Sequence, residues 1–112
     1  MSNSDFEVSV ENSYDERGNN AVLVKITSAA IELNVHLKLL DVKKVLSAAT
    51  SDTFYCNAGE SANSPVHWKR ESSDEIYILV GEDQDVWDIC LLIPSDTFAE
   101  IISEIRANRP NT

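Results

Sequence analysis

Between Glu71 and Ile105 the chain carries ten acidic side chains and not one Lys or Arg. Two cysteines, Cys56 and Cys90, and two histidines, His36 and His67, complete the residues that could do chemistry. A one-signed acidic segment repels nucleic acid and attracts basic protein surfaces. Neither cysteine belongs to a C-x-x-C, and two thiols cannot make a tetrahedral thiolate zinc site. A Cys56–His67 nucleophile pair across neighbouring strands would carry no local signature, so both cysteines read as structural thiols and both histidines as surface residues. Cys90 lies inside an apolar run, where a free thiol behaves as a small hydrophobe.

The ten acids do not form one set. Asp96 and Glu100 fall in the first turns of a predicted helix, where the macrodipole favours negative charge, and Glu104 follows on the same helix. Glu71, Asp74, Glu75, Glu82, Asp83, Asp85 and Asp88 have no such explanation. Crowded like charges repel and lower folding stability, which argues for a compensating partner. The competing reading is that charged hairpin turns are common on inert surfaces. Asp83-Gln84-Asp85-Val86-Trp87-Asp88 begins like a calcium loop, yet lacks the glycine at its sixth position and has Pro94 where the bidentate glutamate belongs. No metal site follows, and no cofactor motif. Gly18, Gly59 and Gly81 are isolated and form no phosphate cradle. The basic residues Lys43, Lys44, Lys69 and Arg70 are too few for a nucleic-acid stripe. A glycosidase-like carboxylate pair has no aromatic sugar platform beyond Trp68, Tyr77 and Trp87.

These residues sit on elements that periodicity outlines. Phe6, Val8 and Val10 alternate with Glu7, Ser9 and Glu11. After the turn-forming stretch Asp15–Asn20, Val22, Val24 and Ile26 alternate again. Ile31, Leu33, Val35, Leu37 and Leu39 give the clearest period of two, with one face buried and one wet. Asp41 is placed to cap a helix whose apolar positions are Val42, Val45, Leu46 and Ala49. Thr53 to Cys56 reads as a short strand, residues 57–65 as a long loop, and Val66 to Lys69 as a further strand. Residues 75–93 form a hairpin turning at Gly81-Glu82-Asp83-Gln84.

In that hairpin opposed residues share a face. One face collects Ile76, Ile78, Val80, Trp87, Ile89, Leu91 and Ile93, a core set that places Trp87 inside. The other collects Tyr77, Leu79, Val86, Asp88, Cys90 and Leu92. An exposed Tyr77 beside Asp88 would anchor an interface, the ring supplying area and the charge specificity; a loop or helix covering that face is the equal alternative. Pro94 ends the hairpin and Ser95 or Thr97 caps the last helix, with Phe98, Ile101, Ile102 and Ile105 as its stripe. Asn108, Arg109 and Pro110 end that helix. The expectation is therefore one globular domain over residues 1–112, frayed at 1–4 and 108–112. Its class is α+β, mostly antiparallel and ordered βββ-α-ββββ-α, with both helices packed on the sheet.

At 112 residues, 43% apolar and 25% charged, the chain has the composition of a folded domain, and its net charge is −10. No apolar run approaches the roughly 20 residues that span a bilayer, and the first residues are neither basic nor apolar enough for a secretory signal. A cytoplasmic protein without membrane or nucleic-acid partners is expected. Small size, acidity, strand-then-helix layout and the closing segment Asp85-Val86-Trp87-Asp88-Ile89-Cys90-Leu91-Leu92-Ile93-Pro94-Ser95-Asp96-Thr97-Phe98 resemble the immunity proteins of bacterial toxin systems, including contact-dependent growth inhibition. That resemblance implies a binder rather than an enzyme: an inhibitor of a cognate toxin, often a nuclease with a basic cleft. The binding residues would be Glu71, Asp74, Glu75, Tyr77, Glu82, Asp83, Asp85 and Asp88. The alternatives are an acidic secretion-type chaperone that holds an effector segment and, behind it, a small enzyme.

Overall fold

The computed structural model describes residues 6–72 and 74–108. Seven strands and two helices follow in the anticipated order: β1 (Glu7–Tyr14), β2 (Asn20–Thr27), β3 (Glu32–Lys38), α1 (Leu39–Ala48), β4 (Phe54–Ser61), β5 (Ser64–Arg70), β6 (Glu75–Gly81), β7 (Trp87–Pro94) and α2 (Ser95–Ala107). The strands form one antiparallel sheet in chain order, β1 through β7. The class is α+β, as the alternating runs predict.

The sheet has a seam. β1, β2 and β3 pair along their lengths, as do β4 through β7, but β3 and β4 meet only at His36 and Glu60. A bulge between Asn57 and Glu60 lies at that join. Gly59 sits there at φ +90°, where a Cβ would come within 2.6 Å of the His36 carbonyl oxygen. Only glycine permits both the backbone angle and the approach.

One face of the sheet is packed under the helices. Val22, Val24, Ile26, Val35, Leu37, Val66, Trp68, Ile76, Ile78 and Ile93 are fully buried with Val42 and Val45 of α1 and Phe98, Ile101 and Ile105 of α2. At the bulge the Ala58 carbonyl accepts a 2.9 Å hydrogen bond from the Trp68 indole, so the buried tryptophan leaves no donor unpaired. Although α2 follows β7, it packs against β1 and β2 as well as β6 and β7. The sheet therefore curls around the last helix.

Several local expectations are corrected. Residues 57–65 are not a long loop: β4 runs to Ser61, and Ala62 and Asn63, at φ 51° and 68°, make a two-residue hairpin to β5. Positive φ at both positions suits the right-handed twist of a hairpin, but alanine gives little sign of it in sequence. Asp41 is the third residue of α1, not its cap, and accepts the Lys38 N–H at 3.0 Å. Pro94, not Ser95 or Thr97, precedes the first turn of α2; the Ser95 N–H donates instead to the Asp74 carbonyl at 2.9 Å. Of the tail expected to fray at 108–112, Asn108 is instead held, closing α2 with its side chain on the Glu104 carbonyl; residues 1–4 and 109–112 lie outside the described residues.

Candidate functional site

The acids expected to bind a partner lie at opposite ends of β6. Glu71, Asp74 and Glu75 surround the β5–β6 turn; Glu82, Asp83 and Asp85 form the β6–β7 loop; all are exposed. Two of them have internal duties. Glu71 pairs with Lys69 at 3.4 Å. Asp83 Oδ1 accepts the N–H groups of Asp85 and Val86, both at 2.8 Å, and so shapes the loop it belongs to. Glu82, Asp85 and Asp88 keep their carboxylates toward solvent.

The loop hands over to β7 through a bulge. Val80 pairs with Ile89, but Gly81 pairs with Trp87, so Asp88 is one residue extra on the β7 side. A one-residue shift turns every following side chain to the other face. Trp87 therefore shares the face of Gly81 and Leu79, not that of Ile78 and Val80, and is 45% exposed rather than in the core. Gly81 makes this possible: a Cβ there would overlap the Trp87 Cα and lie 2.6 Å from the Val86 carbonyl oxygen.

Ile89 keeps the core face but is still 36% exposed at the rim, and Cys90, expected to be a buried structural thiol, is exposed too. Leu92, with Val86 in the preceding loop, completes the exposed apolar area on and beside the last strand of the sheet. Tyr77 is half-buried opposite Leu92, so Asp88 stands about 13 Å farther along β7 at roughly 3.3 Å per residue, and the two do not touch as an adjacent pair.

His67 reverses its expectation outright. It is buried on the face opposite the helices, with Nε2 3.1 Å from the Gly81 carbonyl and Nδ1 2.7 Å from the Tyr55 hydroxyl. A carbonyl only accepts, so Nε2 carries the proton and Tyr55 donates to Nδ1. Burial, and then the nearby Asp83 carboxylate, holds the Tyr55 phenol above its ordinary value, which keeps it a donor. The Tyr55–His67–Gly81 chain thus pins β4, β5 and the bulged end of β6 together. No residue pattern announced it, because it joins groups on three separate strands whose register only the folded sheet fixes.

Cys56 and His67 are not brought together. Cys56 pairs with Trp68 and packs toward the core, whereas His67, next along β5, points to the other side. Burial pushes the Cys56 thiol up to about 11, opposed by Lys44 and reinforced by Asp41. A protonated thiol is a poor nucleophile. Among the described residues no three His, Cys, Asp or Glu side chains are placed to hold a metal ion, and no helix is long and apolar enough to cross a membrane.

A cleft of about 690 Å³ opens at the β3–β4 seam. His36, Lys38, Asp41, Lys44 and Glu60 line it, with Lys44 Nζ on the Asn57 carbonyl at 3.2 Å. Its charges are mixed in sign. Comparison with protein-family models, with curated proteins and with solved structures finds no match to this chain.

Proposed function

We propose that this protein is a cytoplasmic immunity-type inhibitor that binds and neutralises a basic protein toxin, of which a nuclease is the leading kind, through the β6–β7 hairpin. The observation that carries the reading is the pairing of charge and apolar area in one place. Trp87, Ile89, Cys90 and Leu92 are exposed on an outer strand, the acids Glu82, Asp83, Asp85 and Asp88 stand at one end of it, and no base interrupts the segment. Carboxylates spaced along a loop stand in for the phosphates of a nucleic-acid substrate. They would steer encounter with a basic cleft, at rates that reach about 10⁸–10⁹ M⁻¹s⁻¹ and fall steeply with salt. The apolar strip, desolvated on contact, would then set slow dissociation.

The reading is of a binder. Its support on that side is the separation of Cys56 from His67 and the mixed charges of the seam cleft. A secretion-type chaperone is the second reading, favoured by the same exposed strip, which could hold a client segment. A one-to-one complex with a folded enzyme distinguishes the first from a dimer holding an unfolded peptide.

The test is affinity capture from the source cell at low and high salt, followed by stopped-flow association with the captured protein. Reversal of Glu82, Asp83 and Asp85 to Lys is expected to slow association at least about tenfold at low salt and to abolish its salt dependence. An unchanged on-rate, or a captured toxin whose activity this protein leaves intact, refutes the proposal.

A further inference from the structure

We infer that the partner's contribution is an extended, lysine- or arginine-bearing segment that adds to β7 as an eighth strand of the sheet. The inference rests on the binder reading above and specifies how the hairpin is recognised. β7 is the last strand: it pairs with β6, and among the described residues no other backbone hydrogen bond reaches Ile89–Ile93. The outer N–H and C=O groups of that stretch have no strand beside them; Ile89, Cys90 and Leu92 reach solvent there, while Leu91 and Ile93 are buried. Edge strands are ordinarily guarded by lysine, by proline, by a bulge or by a covering element. Here the bulge at Asp88 and Pro94 bound the ends of the stretch, but between them it has no charge at all.

Both faces beside the open ladder are apolar. A strand laid along Ile89–Ile93 would run beside Ile89 on the helix side and beside Cys90 and Leu92 on the other, with Trp87 just past the bulge. Five paired residues span roughly 17 Å. Acids stand at both ends of that span: Glu82, Asp83, Asp85 and Asp88 at the loop, Asp74, Glu75 and Asp96 where Pro94 meets Glu75.

The same charges select the occupant. A second copy of this chain added in parallel would set loop acids against loop acids. Added antiparallel, it would set loop acids against Glu75 and Asp96. Either way like charges face each other, which disfavours the pairing. A segment with cations flanking an apolar, strand-forming centre satisfies the ladder, the strip and both acidic ends at once.

The test uses the full chain and a ten-residue probe peptide with lysines at both ends of an alternating Val/Thr centre. A second probe of the same sequence carries N-methyl groups on alternate residues, which removes its donors without changing its charge. Amide hydrogen exchange, read residue by residue, should show alternate amides from Ile89 to Ile93 exchanging freely in the free protein and slowed at least tenfold by the first peptide. The N-methylated peptide should bind at least tenfold more weakly. Equal binding of both peptides without slowed β7 amides overturns strand addition while leaving the acidic-surface reading intact. Failure of the first peptide to bind at low salt, while charge reversal still weakens the natural partner, overturns it as well. Slowing of the same amides with protein concentration alone would make the occupant a second copy and overturn the choice made here.

Discussion

The two edges of the sheet, β1 and β7, share one obligation: among the described residues, each leaves a row of backbone groups without a neighbouring strand. β1 meets it conservatively. Val10 is buried and Val8 half-buried on the inner side, Glu7, Ser9 and Glu11 face water, Glu11 pairs with Lys25 at 3.7 Å, and α2 packs against the strand. Charges and a covering helix are the usual protection of an edge. β7 also meets α2, yet over Ile89–Ile93 it carries no charge and exposes Ile89, Cys90 and Leu92 on its two faces. The difference is instructive because the same chain places charges along β1 and leaves the middle of β7, between its bulge and Pro94, without any. An exposed apolar patch rimmed by polar groups marks an interaction site.

The comparison breaks most severely if Trp87 is dispensable. Trp87→Ala is expected to weaken partner binding by about 2–4 kcal/mol, as truncation of a central aromatic anchor does, while unfolding free energy falls by less than about 1 kcal/mol because the ring is half in water. Tyr14→Ala, equally aromatic and more exposed at the end of β1, should leave binding unchanged. Calorimetric titration and urea denaturation on both variants separate the two effects. Equal losses at both positions would erase the distinction between the edges.

A smaller effect sharpens it. Gly81→Ala pushes a methyl into the Trp87 backbone and should cost about 1–3 kcal/mol of stability, as overpacking does, and displace Trp87 from its present face. Gly18, in the β1–β2 turn, has nothing within 4 Å of an added Cβ but a φ of +83°. Gly18→Ala should cost only the left-handed strain, about 1 kcal/mol, and leave the indole environment alone. Urea midpoints and tryptophan fluorescence of the pair distinguish a bulge that depends on Gly81 from one that does not.

The smallest effect concerns the thiols. Cys90 on β7 is exposed and Cys56 lies against the core, so a disulfide reagent should label Cys90 about tenfold faster under native conditions. Cys56 is raised from 9.0 to about 11 in the folded chain. Unfolding therefore favours its ionisation. The stability it contributes is complete below about pH 9 and is lost as pH rises toward 11. A denaturation series across that range, with Cys56→Ser as reference, should show the decline in the native protein and its loss in the variant.

How far these features were legible depends on their range. Alternation in β3 and the stripe Phe98, Ile101, Ile102 and Ile105 could be read directly, since burial of one face imposes a short period on the residues. The order of strands and helices followed, and with it the α+β class. The β4–β5 hairpin was missed because Ala62 and Asn63 carry a turn that their types hardly signal. His67 was misplaced because its burial depends on Tyr55 and Gly81, partners on other strands. For the candidate site, the acids and their distinction from those of the last helix were apparent from spacing. The apolar half was not: Trp87 looks like core in any reading that assumes an unbroken ladder, and the exposure of Ile89 and Cys90 follows from β7 being the outer strand.

The sequence alone determined the sign and position of the charge, the alternation of each strand and the amphipathic faces of both helices, because each of these is a local property of neighbouring residues. Only the tertiary structure decided which strand became an open edge, that one extra residue at Asp88 turned Trp87 outward, and that His67 faced away from Cys56. Register and sheet order are set by pairing between distant segments, and a shift of one residue there exchanges the inside of the protein for its surface.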